Sequence, residues 1–288
     1  MKNKYIIITP VRDEEQFLHR TVDSVVKQSI LPAKWIFVDD NSKDTTPEIL
    51  KQYADQYRFI HIKTIDETTE RLPGVGVMRA FEYGLRGENI HDYDYIVKLD
   101  ADLEFHELFF ENMFSEFSKN SNLGIASGLA TEMNGKPVSN NYSGHTYGCA
   151  KIYTTKCFHD ILPVEKIKSW DLIDNIKANL KGYDSKIIKS EILLHLKPMD
   201  SVIGKYKENY LKGYYSGYLR YDVIFNFLKF LKVCTETPLI VGGLMYLAGY
   251  VKSILVNDRY HNKHVTKYLR RQQRKRLLGA FTNNRSMQ

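Results

Sequence analysis

At 288 residues, with 43% hydrophobic and 26% charged side chains, the chain has an ordinary globular composition and the length for one large domain or a domain with an appendage. Cys149, Cys157 and Cys234 are odd in number and widely spaced, which excludes a zinc pattern or a disulfide framework and points to a reducing, cytoplasmic setting. The net charge is +7, much of it late in the chain, and the first residues enter an apolar strand with no stretch long enough for a signal peptide.

The first predicted strand, Tyr5 to Thr9, breaks at Pro10 into Val11-Arg12-Asp13-Glu14-Glu15. A helical pattern of Phe17, Leu18, Val22, Val25 and Val26 follows, so the acids read as helix amino-terminal charges favoured by the helix dipole. A second strand, Lys34 to Val38, runs into Asp39-Asp40-Asn41-Ser42-Lys43-Asp44-Thr45, and a helix with Ile49, Leu50 and Tyr53 begins near Pro47. Asp44 and Thr45 suit a helix cap. Asp39 and Asp40 are adjacent carboxylates after a buried strand, so they repel and need a donor or cation. Gly74-Val75-Gly76 is not a dinucleotide fingerprint, because Arg79 stands at the third glycine position and no strand directly precedes. By its residues it reads as a surface loop followed by an amphipathic helix, and helix amino termini favour phosphate.

Tyr95 to Leu99 is a short apolar run ending in Asp100-Ala101-Asp102. Carboxylates at the carboxyl end of such a strand sit where open α/β sheets bind ligands, and Asp-x-Asp there suits a hard divalent cation that also holds a diphosphate. Three strands ending in acidic residues, with helices between, describe one edge of a mainly parallel sheet flanked by helices. A later strand, Lys189 to His195, ends in histidine.

Near Pro198 the character changes, giving expected domains at 1–200 and 201–288, the second a helical extension. Tyr206, Tyr210, Tyr214 and Tyr218 recur at spacing four, a stripe read as packing, with an aromatic face that stacks on a ligand as the alternative. Thr237 to Val251 is uncharged yet short of the roughly 20 residues that a membrane span needs. Arg270, Arg271, Arg274, Lys275 and Arg276 form a basic cluster of the kind that attracts anionic headgroups. The expected location is cytoplasmic and peripheral, at the inner face of the cell membrane. Nothing upstream resembles a base-reading fold, so nucleic acid is not an expected partner.

Pro10-Val11-Arg12-Asp13-Glu14-Glu15, Val38 to Thr45 and Leu99-Asp100-Ala101-Asp102, in that order and strand context, resemble the successive signatures of family 2 glycosyltransferases of GT-A fold. The resemblance covers roughly residues 1–200, and the remainder is similar, more loosely, to the extension of bacterial members that build surface glycans. It implies an inverting transfer from a nucleoside-diphosphate sugar to a hydroxyl of a glycan or lipid-linked acceptor. The implied donor-binding residues are Thr9, Pro10, Arg12, Asp39, Asp40, Arg71, Arg79 and Asp100. Asp102, with His195, would hold Mg²⁺ or Mn²⁺. Lys168 to Tyr183 looks like the family's Glu-Asp motif heading a helix that closes in a Gly-Tyr turn. Trp170 replaces the usual glutamate, Asp171 falls on the aspartate as general base, and Asp174 or Trp170 would touch the acceptor or support the base. A catalytically silent nucleotide- or glycan-binding scaffold of the same fold is the alternative. A nucleotidyltransferase would need a triphosphate loop that the Pro10 segment does not supply.

Overall fold

The structure, a computed structural model, describes residues 3–65, 74–138, 145–197 and 204–283, with side chains described as far as 279. The chain forms two compact units, Met1–Pro198 and Met199–Gln288.

The first unit is built on an eight-stranded sheet. Strand β1 (Tyr5–Val11) lies in parallel between β2 (Lys34–Asp39) and β4 (Tyr95–Leu99), and β3 (Ile60–Thr64) extends the parallel run beyond β2. The direction reverses at β7 (Ala150–Thr154), antiparallel to β4 and to β6 (Leu123–Thr131). Strand β8 (Asp184–His195) runs parallel to β6, and short β5 (Leu103–Glu104) closes the edge antiparallel to β8. The sheet is therefore mixed, and the parallel character read from the sequence belongs to the β3-β2-β1-β4 half.

Alternate residues of the central strands feed two cores. Tyr5, Ile7, Trp35, Phe37 and Val97 face one side, covered by α1 (Leu18–Val26), α2 (Thr46–Gln56) and α4 (Phe109–Lys119). Ile6, Ile8, Ile36, Val38 and Ile96 face the other, covered by α3 (Val75–Leu85), α5 (Thr155–Ile161) and α6 (Trp170–Leu180). Burial on both faces is why these strands read as continuous apolar runs rather than alternating ones. Phe109, Phe110 and Phe114 are fully buried, each stabilising the fold by about 1.5–3 kcal/mol on area alone.

In the second unit are α7 (Lys205–Tyr218), α8 (Val223–Thr235), α9 (Val241–Leu255) and α10 (Lys263–Asn283). Helices α7 and α9 approach through small residues: a Cβ on Gly213 would lie 1.8 Å from the Tyr246 carbonyl oxygen, and one on Gly249 2.0 Å from that of Tyr210. The buried line of α7 is Asn209, Gly213 and Ser216. The tyrosine stripe lies beside that line: Tyr206 is exposed, while Tyr210, Tyr214 and Tyr218 are partly covered, with Tyr214 O–H donating to Asp258 and the Tyr218 ring 6.0 Å from that of Tyr260. The uncharged stretch after Thr237 is divided between a connection and α9, and among the described residues no helix is long and apolar enough to cross a membrane.

Candidate active site

The acidic segments after β1 and β2 lace into each other. Thr45 donates its backbone N–H and its hydroxyl to Glu15 Oε2, Lys43 N donates to Asp13 Oδ1, and Glu15 N donates to Asp44 Oδ2. These acids fix two loops at the strand ends. Glu14 behaves differently from the helix-end charge expected of it. Its side chain is largely buried and accepts from Lys197 Nζ at 2.7 Å, while Oε2 is buried with no hydrogen-bond partner. Burial, reinforced by the charges of Asp102 and Asp100, raises its carboxyl to about 7 despite Lys197. Glu14 therefore belongs to the carboxylate site.

The repulsion expected between Asp39 and Asp40 is relieved separately on each. Asp39 Oδ1 accepts from Ser42 N at 3.0 Å and Ser42 Oγ at 2.6 Å. Asp40 lies between two guanidinium groups, 3.3 Å from Arg79 Nη2 and 3.7 Å from Arg12 Nη1. Pro10 is partly exposed at the end of β1, in register with Val38. Thr9 corrects the sequence reading: it is fully buried, and its hydroxyl accepts from Trp35 Nε1 at 2.9 Å, so its side chain secures the core instead of lining the crevice. Arg71 lies outside the described residues. Gly74, at φ +80°, leads into α3 against the backbone ahead of α6; a Cβ there would meet Lys168 Cα at 2.6 Å. That close approach and positive φ both require glycine.

Asp100 and Asp102 follow β4, and their environments differ. Asp100 is held by Lys98, a buried lysine that also donates to the Gly148 carbonyl at 2.9 Å. Asp102 is buried, and the β5–β8 register, with Leu103 opposite His195, brings His195 Nε2 to 3.8 Å from Asp102 Oδ2. Burial pushes the Asp102 carboxyl upward, with His195 opposing. His195 Nδ1 contacts the Lys197 carbonyl at 2.8 Å, and a carbonyl only accepts, so Nδ1 carries the proton. In neutral His195 the Nε2 lone pair therefore faces a carboxylate oxygen. Two acceptors facing one another, with the orphaned Glu14 oxygen in the same carboxylate group, fit an oxygen- and nitrogen-binding divalent cation. Among the described residues no set of three or more His, Cys, Asp or Glu side chains is arranged to hold a metal, so such a cation would need further oxygens from a bound ligand.

The remaining wall is α6 with the strand beside it. Asp171 opens the helix with 26% of its side chain exposed, and His145 Nε2 stands 3.6 Å from Asp171 Oδ2. The opposite ring nitrogen of His145 is 3.3 Å from Asn175 Nδ2, whose Oδ1 accepts from Thr146 Oγ1 at 2.9 Å. Because an amide nitrogen only donates, that order puts the imidazole proton on Nε2, toward Asp171. The sequence reading has Asp174 either support the base or touch the acceptor. It is fully buried, accepts from Tyr153 O–H at 2.6 Å, and has its carboxyl raised by burial. Trp170 is likewise buried, its ring 5.5 Å from Lys98 Nζ and 5.2 Å from Lys151 Nζ, so it supports the floor and does not meet an acceptor. Lys151, fully buried, donates to the Asp171 carbonyl at 2.6 Å and so fixes the start of α6.

The model of glycosyl transferase family 2 matches residues 6–165, more than half of the chain. The chain belongs to that family. Its resemblance to GT-A enzymes extends to solved structures. A Pyrobaculum calidifontis mannosyltransferase in complex with GDP-Man and Mn²⁺ superposes with a TM-score of 0.56 at 12% identity, over 92% of this chain and 78% of that one. S. aureus TarS 1–349 in complex with UDP-GlcNAc gives 0.55 at 15% identity over 88% and 73%. GalNAc-T7 with UDP, GalNAc and Mn²⁺ gives 0.54 at 14% over 89% and 55%. Identities this low establish the shared GT-A fold. No curated protein matches the sequence. In this family-2 chain, Glu14, Lys98, Lys151 and His145 stand beside the expected site residues; the sequence reading makes Glu14 a helix-end charge and does not single out the other three.

Proposed function

We propose that this family-2 enzyme is a metal-dependent, inverting glycosyltransferase that moves a sugar from a nucleoside-diphosphate donor to a hydroxyl of a glycan or lipid-linked acceptor in surface-glycan biosynthesis. The observation that carries the reading is the opposition of two facing acceptors, Asp102 Oδ2 and His195 Nε2, backed by the buried Glu14 Oε2, which has no hydrogen-bond partner. That arrangement wants a cation, and Mg²⁺ or Mn²⁺ held there would supply Lewis-acid stabilisation of the leaving diphosphate. The Mn²⁺ in two of the structural neighbours supports the same choice.

The roles of the chain's own groups follow from their positions. Asp39, Asp40 and Pro10 line the strand ends for the nucleoside, with Arg71 assigned there from the motif alone. Arg12 and Arg79, now paired with Asp40, offer guanidinium groups to phosphate oxygens and stabilise charge that grows as the sugar–phosphate bond breaks. Asp100, steadied by Lys98, faces ribose or the metal's water. Asp171 takes the acceptor hydroxyl's proton while that oxygen bonds the anomeric carbon and the diphosphate departs from the opposite face. His145 orients the Asp171 carboxylate through the Thr146–Asn175 relay. The working place is an anionic membrane face at which lipid-linked acceptors are presented.

The test is a panel of nucleotide sugars, each measured for thermal stabilisation with and without Mg²⁺ or Mn²⁺, followed by transfer assays on those that stabilise. A donor that stabilises only with the cation and is consumed with inversion supports the reading. Cation-independent binding with neither hydrolysis nor transfer would favour the silent scaffold.

A further inference from the structure

Along α8 and α9 the second unit is inside-out by the standards of a protein surrounded by water, while Leu219, Val265 and Leu269 are buried elsewhere in it. Among the described residues 23 large hydrophobic side chains are exposed, and 14 of them lie between 223 and 256. On α8 the exposed residues Val223, Ile224, Phe227, Leu228 and Leu231 recur at helical spacing and share one face. On α9 the exposed line is Val241, Leu244, Leu247, Val251 and Ile254, while Gly242, Gly243, Tyr246, Gly249 and Ser253 are buried. Leu239 and Ile240, in the connection, are exposed as well. A helix on an aqueous protein surface does the reverse, turning its apolar stripe to the core.

The interior of the unit matches that inversion. Tyr246 O–H bonds Ser216 and Asn226, and the backbones of α7 and α9 touch at Gly213 and Gly249. Small residues and hydroxyl or amide bonds between helices are how helices associate when the solvent is apolar. Charge then identifies the solvent. Residues 199–288 carry 16 Lys and Arg against 5 Asp and Glu, a net +11, leaving 1–198 at −4. Arg270 donates to the Arg220 carbonyl and Arg274 to Asp222, the cap of α8, which sets the basic helix α10 beside exposed Val223 and Ile224.

We infer that the α8–α9 hairpin seats its exposed apolar face in the headgroup–acyl boundary of an anionic bilayer, with the basic residues of α10 on the headgroups. This deepens the membrane partner named under the proposed function and rests on that part of it. The 15 residues of α9 extend about 22 Å, less than the roughly 30 Å hydrocarbon core, so the hairpin lies in one leaflet and does not cross. Exposed Lys232 and Lys252 reach headgroups along their apolar stems. A second copy could cover the apolar lines, but two units of +11 would repel; an anionic lipid surface satisfies both the apolar face and the charge.

The experiment uses the full chain, without nucleotide, and vesicles of phosphatidylcholine with or without phosphatidylglycerol. Leu244→Trp places a reporter on the apolar line, against a background of Trp35 and Trp170, which are buried. Brominated lipid should quench the reporter on anionic vesicles, and Phe227→Ser and Leu244→Ser should each weaken partition about tenfold with helix content by circular dichroism unchanged. Binding that salt removes completely, with no quenching of the reporter, would overturn insertion. So would a lipid-free dimer that Leu244→Ser dissociates. Donor binding, measured separately without vesicles, reports on the catalytic proposal, so the failure of one leaves the other readable.

Discussion

The two units of this chain differ in what they leave exposed. In the first, Phe109, Phe110 and Phe114 lie inside and charged groups meet at the strand ends; in the second, Asn209, Ser216, Asn226 and Ser253 are buried along with Leu219, Tyr246 and Val265, and the leucines of α8 and α9 face outward. Their charges are opposite too, −4 for 1–198 and +11 for 199–288. The contrast is what carries the inference that the second unit meets an apolar surface. The first unit is stabilised by removing apolar area from water. The second keeps that area exposed, so its stabilisation by an apolar partner is available on docking.

The proposed transfer and the proposed membrane docking belong to different units, and the largest expected effect tests that separation. Asp102→Ala should abolish transfer and cation-dependent donor binding while vesicle binding stays at the wild-type level. Full activity in the presence of a chelator would break the metal-dependent mechanism. Next, Asp171→Asn keeps the shape of the side chain but cannot accept a proton. It should lower kcat by about 10²–10⁴-fold with donor affinity nearly unchanged, as read from steady-state kinetics and donor titration. His145→Ala should lower kcat less than Asp171→Asn does and change the pH–rate profile, since it removes only the group that orients the base.

A stability comparison sharpens the inside-out description. Phe114→Ala, in the first core, should cost about 3–5 kcal/mol in urea unfolding. Leu244→Ala, at 57% exposure, should stay within about 0.5 kcal/mol in the absence of lipid. Equal losses would mean that the α9 apolar line is buried in solution.

The smallest effect concerns Asp174. Burial raises its folded-state carboxyl above the unfolded value, so the unfolded chain loses its proton first as pH rises. The folded state is therefore favoured below the unfolded value, and that contribution is lost as pH climbs through the aspartate range toward the raised one. Asp174→Asn should flatten this part of the thermal-stability profile from about pH 4 upward and leave transfer largely intact. A transfer loss as large as that of Asp171→Asn would move the base to Asp174.

Much of the first unit was legible because its local signals are one-dimensional. A strand buried on both faces is a continuous apolar run, and the acids that follow Val11, Val38 and Leu99 mark the end of each run. Those signals located Asp39, Asp40, Asp100 and Asp102. They could not assign partners. Lys98 occupies an inward strand position and reads as an interruption of an apolar run; only packing beside Asp100, Gly148 and Trp170 makes it part of the site. Glu14 looked like its acidic neighbours until Lys197, distant in sequence, came to 2.7 Å from it.

By itself, then, the sequence determined the strand-end acids, the helix entry at Gly74, and the excess of positive charge late in the chain, because each depends on neighbouring residues or on a count. Tertiary structure decided what those groups face. Sheet register set His195 against Asp102, and the approach of the segment before β7 to the start of α6 set His145 beside Asp171. The same holds for α9, whose apolar and small residues alternate at helical spacing in the sequence without saying which line is buried. The contact of Gly213 and Gly249 with facing backbone turns the small residues inward and leaves the leucines outside. Burial is a relation between segments distant in sequence, so it exists only once the chain has folded.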